Sequence, residues 1–426
     1  MRVIYSLAWL PALPFAFIYL LWRSRRQPAY LRHWGERLGL APRSHYRPVI
    51  WIHAVSVGET RAAAPLVEAL LRKHPNHAIL LTHATPTGRA TGHELFGDRV
   101  RRAYLPYDFP PLMTLFLDRV RPELGIVMET ELWPNLFRAC RRRGIPVLLV
   151  NARLSERSAR GYRRFAALAR MALEDLAGIA AQTEADAARL RELGAGDIAI
   201  TGNVKFDVSP PPDTTAKAAE LKALFAGRFV FLCASTREGE EALLLEALGN
   251  LPADVLLVLV PRHPQRFDAV ADLIRTRGLA FARRSEGQAP GPGARVFLGD
   301  SMGEMAAYYA AADLCYVGGS LLPLGGQNMI EAAAAGCPAL FGPHTWNFLE
   351  AADQAVACGA ARRVADGAAL RTALLELRND AEARRRMAEA GLAFTRANRG
   401  ATGKVLSLIE AAQSASPALP DMQGRG

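Results

Sequence analysis

The stretch "PVIWIHAVSVGETRAAAPLVEALLRKH", Pro48 to His74, decides the fold. Its first half, Val49 to His53, is a short and almost wholly apolar run of strand-forming residues. Its second half, from Thr60, has the spacing of an amphipathic helix. A strand that buries both faces and passes directly into a helix is the building unit of a parallel sheet. Glu59 sits at the corner between the two, directly after Gly58. Two readings of that acid stay open from local sequence. It could face the positive end of the helix dipole, or it could be a catalytic base held at the end of a strand.

The same alternation continues outward. "HAILLTHAT", "LGIVMET" and "IPVLLVNAR" read as further buried strands, and "PTGRATGHELF" and "IAAQTEADAARLRELG" as helices. The run "KFDVSPPPDTTAK", Lys205 to Lys217, breaks the pattern. Its three consecutive prolines suit neither a helix interior nor a central strand. Alternation resumes with "RFVFLCAST", "DVLLVLVPRHP", "ARVFLGD" and "ADLCYVGGS". The expected fold is therefore α/β: two Rossmann-like, doubly wound domains facing across a cleft, the GT-B arrangement. Expected bounds are an anchor over 1–22, a first domain over 23–207, a linker over 208–216, a second domain over 217–412 and a disordered tail over 413–426.

The chain has 426 residues, which exceeds one ordinary core and agrees with two domains. Its formal charge is +11, and anionic partners follow from that. Arginines crowd residues 1–50 and 138–170, where Glu36 and Glu156 are the lone acids. No zinc-finger spacing and no RNP-like aromatic motif accompanies them, so anionic lipid or phosphorylated substrate is a better fit than nucleic acid. The five cysteines are scattered without a CxxC and read as free, mostly buried thiols. There is no HExxH and no obvious histidine cluster, so no metal is expected.

Ile4 to Trp22 carries no charge over 19 residues. As a helix it is about 28 Å long, one hydrocarbon core. The basic flank "RSRRQPAYLR" follows it. The positive-inside rule then sets the start outside and the body in the cytoplasm. Pro11 and Pro14 are expected to kink this segment. The next stretch, "YLRHWGERLGL", reads either as an interfacial helix or as an ordinary surface helix.

Ligands of open α/β sheets lie beyond the carboxyl ends of strands. In the second half, "GGSLLPLGGQNMIEAAAAG" combines four glycines, a capping Asn328 and the acid Glu331 at a helix start. Free N–H groups there suit a phosphate, so the stretch reads as a nucleotide site or as a tight structural turn. Arg262 in "VPRHP" suits a phosphate or carboxylate fork, and "GDSMGEM" enters a further helix. In the first half Glu129 and Glu131 follow a strand in "METELWPN". Lys205 lies at the expected hinge in "TGNVKFD", and Arg153 and Ser155 follow a strand in "NARLSERS".

Eight phrases in order, "HAVSVGE", "YLPYD", "METELWPN", "NARLS", "TGNVKFD", "PRHP", "GEM" and "GGSLLPLGGQNMIEAAAAGCP", resemble the 3-deoxy-D-manno-octulosonic acid (Kdo) transferases of lipopolysaccharide synthesis. The resemblance runs from about residue 1 to about residue 400. It departs at Met329, where members of the family often carry proline. The resemblance implies an inverting GT-B glycosyltransferase that needs no metal. The donor is CMP-Kdo, the acceptor a lipid A precursor at the inner face of the inner membrane. It also implies Glu59 as general base and Glu129 and Lys205 as stabilisers of the transition state. CMP is expected against Pro261, Arg262, Gly303, Glu304, Met305, Asn328, Met329, Ile330 and Glu331. A free glutamate, titrating near about 4.3, is ionised at neutral pH and can accept a proton; Gly58 is expected to let the backbone turn tightly and expose it. Two other functions fit parts of the pattern. A GT-B sugar-nucleotide epimerase would keep the nucleotide site, and a non-catalytic, membrane-tethered binder of anionic lipid would keep the arginines.

Overall fold

The computed structural model describes residues 1–25, 27–43, 47–207 and 210–415. It divides into two compact units. The first contains seven strands: β1 (Val49–His53), β2 (Ala78–His83), β3 (Arg101–Tyr104), β4 (Pro122–Met128), β5 (Val147–Ala152), β6 (Gly178–Ala181) and β7 (Ile198–Ile200). They pair in the order β3-β2-β1-β4-β5-β6-β7, and every pairing is parallel. All five residues of β1 are buried, so both faces of the strand are covered. One face packs Trp51, Phe116, Phe137 and Leu149, the other Ile50, Ile52, Leu66 and Ile126.

The second unit repeats the plan with β8 (Phe229–Thr236), β9 (Val255–Pro261), β10 (Phe281–Arg283), β11 (Val296–Leu298), β12 (Leu314–Val317), β13 (Ala339–Phe341) and β14 (Ala361–Arg363). Their order is β10-β11-β9-β8-β12-β13-β14, again all parallel. In each sheet the chain first builds to one side and then returns to build on the other. The reversal lies between β1 and β4 in the first unit and between β8 and β12 in the second. These are the switch points at which a crevice opens beyond the strand ends.

The boundaries differ from the sequence expectation in three places. The second unit ends at Asn398, and the helix Ala401–Ala415 belongs to the first unit. There Val405 and Ile409 pack with Leu66, Val67 and Leu70, and the Asp207 carboxylate accepts the N–H groups of Gly400 and Thr402. The expected tail thus begins inside a helix, and its residues 416–426 lie outside the described residues. Of the expected linker, 208–209 also lie outside them, and a helix has already begun at Thr214.

The apolar amino-terminal segment is one helix, Arg2–Ser24, continuous through Pro11 and Pro14. An 18-residue window of it has a mean hydropathy of 1.8, which with its length suits a membrane. Cys140, Cys233, Cys315 and Cys337 are buried free thiols, and Cys358 is exposed.

Candidate active site

In the first unit the chain leaves β1 and turns into the helix Val57–Ala62, with Ser56 at its N-cap. Ser56 Oγ accepts the Glu59 N–H, and one Glu59 oxygen accepts from Ser56 Oγ at 3.2 Å. The other accepts the Val55 N–H at 2.6 Å. This resembles a capping box with the Val55 N–H in place of the N-cap N–H, so the helix-end reading of Glu59 holds as a structural fact. The same bonds fix the carboxylate beside the switch point, half-buried. The expectation about Gly58 does not hold. It lies in the helix, and a Cβ there would meet nothing closer than Ser56 Oγ at 3.8 Å. The close approach is at Gly88 instead, where a Cβ would lie 3.1 Å from the Val55 carbonyl oxygen.

Across the switch point, β4 ends at Met128 and Glu129 follows with φ of 57°. A glutamate in the left-handed region carries strain that surrounding structure must hold. Lys205 Nζ lies 3.5 Å from Glu129 Oε1, so residues 76 apart in sequence meet here. Lys205 is carried on a single turn, Val204–Asp207, that Asn151 secures by accepting the Val204 N–H at 3.2 Å. Asn151 is fully buried and also has a positive φ. Sequence reading missed it; its only signal was an asparagine at the end of an apolar strand.

Glu59, Glu129 and Glu131 lie near enough to interact electrostatically. Burial, then repulsion by Glu129, pushes Glu59 from the ordinary carboxyl range up to about 7, against the opposing bond from Val55. Burial also raises Glu131. The sequence expectation of an ordinary, fully ionised glutamate is therefore corrected: Glu59 titrates around neutrality. Below the site, burial holds His53 neutral, at about 3. Its Nδ1 bonds Thr82, and its ring meets Trp133 edge-on at 5.6 Å. The Arg153 main-chain N–H reaches Thr130 Oγ1 at 3.2 Å, and Ser155 caps the helix Glu156–Arg163.

In the second unit the switch point is made of backbone. Gly318 follows β12 so closely on β8 that a Cβ would lie 2.5 Å from the Ser235 carbonyl oxygen. Gly319, Gly325 and Gly326 all have positive φ. A fully buried carboxyl group, Glu240, organises this loop. It accepts hydrogen bonds from Tyr316 Oη at 2.6 Å, Gly319 N–H at 2.6 Å, Ser320 N–H at 3.2 Å and Arg237 N–H at 2.9 Å. Sequence reading did not single out Glu240. Two consecutive acids at the start of a leucine-rich helix, Glu240 and Glu241, are the available signal.

Asn328 Oδ1 accepts the Ile330 N–H at 3.1 Å, and its Nδ2 donates to Glu331 Oε1 at 2.9 Å. The helix it precedes, Ile330–Ala334, is short, and Met329 rather than Asn328 is its N-cap. The side chains of Met329 and Ile330 are buried. Pro261 ends β9 and is buried; Arg262 follows half-buried. Gly303 has φ of 78° and is exposed. Glu304 is engaged already: Arg284 lies at 3.0 Å and Lys217 at 3.9 Å, and the Arg284 bonds hold its carboxyl below the usual range. Met305 packs against the core.

Two doubly wound parallel-sheet domains, one with polar side chains at its switch point and the other with glycine backbone, are the plan of a GT-B fold. A structure of UDP-GlcNAc 2-epimerase from Neisseria meningitidis bound to UDP-GlcNAc shares this fold at a TM-score of 0.54 and 16% identity, covering 85% of this chain and 100% of that one. Sequence relatives are more particular. The family described as 3-Deoxy-D-manno-octulosonic-acid transferase (kdotransferase) matches residues 32–208. A 3-deoxy-D-manno-octulosonic acid transferase of Bordetella pertussis is 46% identical over 96% of this chain and 99% of its own length. One from Haemophilus influenzae is 40% identical over 92% of this chain and 94% of its own. The chain belongs to the 3-deoxy-D-manno-octulosonic acid transferase family and is a glycosyltransferase.

Proposed function

We propose that this enzyme transfers Kdo from CMP-Kdo to a hydroxyl of a lipid A precursor, with inversion, and that Glu59 is the general base. The observation that carries the reading is the half-buried Glu59 at a switch point, fixed by Val55 and Ser56 and titrating at about 7. Inversion is a single displacement. The acceptor oxygen attacks the anomeric carbon of Kdo, its proton passes to a Glu59 carboxylate oxygen, and the bond to the CMP phosphate breaks. A base whose pKa lies near working pH combines a useful ionised fraction with real proton affinity, and such catalysis is worth about 10²–10⁴-fold.

Lys205, steadied by Glu129, offers a cation for the negative charge that develops on the departing phosphate. The main chain at Asn328 and Met329, with the guanidinium of Arg262, is suited to hold the cytidylate phosphate. Glu304 and Met305 act by shaping their loop. Among the described residues no group of three or more His, Cys, Asp or Glu is placed to bind a metal. The reading puts the enzyme on the cytoplasmic face of the inner membrane. The amino-terminal helix and the basic surface are what support it.

The test is Glu59→Gln, assayed with CMP-Kdo and a tetra-acylated lipid A precursor, with donor affinity measured alongside. Turnover is expected to fall by about 10²–10⁴-fold with donor affinity kept. Full turnover in the variant overturns the base assignment.

A further inference from the structure

The amino-terminal helix Arg2–Ser24 is amphipathic in reverse. Every third or fourth residue along its whole length is withdrawn from solvent. Over the first turns that inward face carries the polar groups. Arg2 pairs with the buried Asp175 at 2.7 Å, and Ser6 Oγ donates to Asn135 Oδ1 at 3.0 Å. Further along, Trp9 and Phe17 pack on Tyr107, with ring centres 5.7 and 5.9 Å apart, and Phe17 also meets Trp34. At the far end Leu20 is buried, and the Arg23 guanidinium lies 4.9 Å over the Tyr30 ring. From Val3 to Trp22 the outward face has no charge. Val3, Ile4, Leu7, Leu10, Phe15 and Ile18 are each more than half exposed.

We infer that this helix does not cross the bilayer but lies flat against one leaflet of an anionic membrane. It is latched to the first unit by its polar face and buries its apolar face in lipid. A helix on a water-exposed surface turns its polar face outward; this one does the opposite, so the medium it meets outside is hydrocarbon. A crossing would strip Arg2 from Asp175 and carry that arginine through the bilayer core, where charge is costly. A helix lying in the plane keeps every inward contact. The basic end fits the same occupant. Exposed Arg23, Arg25 and Arg32 gather where the helix leaves the apolar face, complementary to anionic headgroups. Asn135, which Ser6 bonds, stands four residues after Glu131. The docked face therefore adjoins the segment that carries Glu129 and Glu131, and a lipid acceptor need not leave its leaflet.

The inference rests on the membrane reading above and is independent of the base assignment. It replaces the expectation that the start of the chain lies outside. The experiment uses the full chain with Cys358→Ser, spin-labelled singly at Val3→Cys, Leu10→Cys or Ile18→Cys. The protein is bound to vesicles of phosphatidylethanolamine and phosphatidylglycerol, and label depth is read by oxygen and nickel accessibility. Three equal, shallow depths are expected. A graded depth, with Leu10→Cys deepest, or labels that stay in water overturns the inference. In a second arm, Leu7→Glu with Phe15→Glu is expected to weaken vesicle binding by about tenfold or more with an unchanged melting temperature. Unchanged vesicle binding overturns it equally.

Discussion

The two switch points occupy the same place in the same fold and are built from opposite materials. Between β1 and β4 the groups proposed to act are side chains: Glu59, Glu129 and Lys205. Between β8 and β12 the crevice is shaped by main chain, at Gly318, Gly319 and Gly326, with a buried Glu240 holding the backbone in shape. A carboxylate crowded by others is poised to move a proton. A glycine loop whose N–H groups are bonded to Glu240 and to neighbouring carbonyls supplies shape and close approach instead. The difference teaches that the fold supplies only the position of a site. What the site does depends on whether side chain or backbone is left facing the crevice.

Four substitutions sharpen or break that comparison. Glu59→Gln has the largest expected effect, the loss of about 10²–10⁴-fold in turnover given above. Its counterpart in the second unit is Glu240→Gln. The amide places a donor against the donors of Tyr316, Gly319 and Ser320, so the loop loosens. Donor Kd is expected to rise about tenfold, the equivalent of one buried hydrogen bond, with saturated turnover nearly kept. If Glu240→Gln lowered turnover and left donor Kd alone, the division of labour would be wrong.

Glu129→Gln comes next. It removes the charge that repels ionised Glu59. The acid limb of the rate profile should therefore move to lower pH, whatever happens to its height. A limb that stays in place means Glu59 is not the group being titrated. Stability offers an independent check on the same pKa. The folded protein binds the Glu59 proton more tightly than the unfolded chain does. The protonated form is the stable one, and that contribution is lost as pH rises from about 4.5 to about 7. Glu59→Gln should then melt higher than the parent at pH 8 and at the same temperature at pH 4, as scanning calorimetry would show. Gly58→Ala stands last: with room for a Cβ in a helix, melting temperature and activity should both stay close to those of the parent.

Much of the architecture was legible because parallel strands buried on both faces are written as unbroken apolar runs, such as Val49–His53 and Val255–Pro261. The acids following β1 and β4 were legible as well, since a strand end is a place the pattern marks. What escaped depended on distance along the chain. The helix Ala401–Ala415 has an ordinary local pattern, and only its packing on Leu66 and Leu70 assigns it to the first unit. The pairing of Lys205 with Glu129 spans 76 positions. The raised pKa of Glu59 needs Glu129 beside it, a fact of topology that no local window contains. Gly58 misled for the converse reason: a glycine next to a key residue invites a conformational explanation, while the space that is short lies over Gly88. The amino-terminal helix was legible as apolar but not as latched, because Asp175 and Asn135 are far from it in sequence.

The pH dependence of kcat/KM for the unmodified enzyme tests the central claim most directly. An acid limb with its midpoint at about 7, displaced downward in Glu129→Gln, is the predicted result. A rate that is flat from about pH 5 upward, as an ordinary carboxylate of pKa about 4.3 would give, contradicts it.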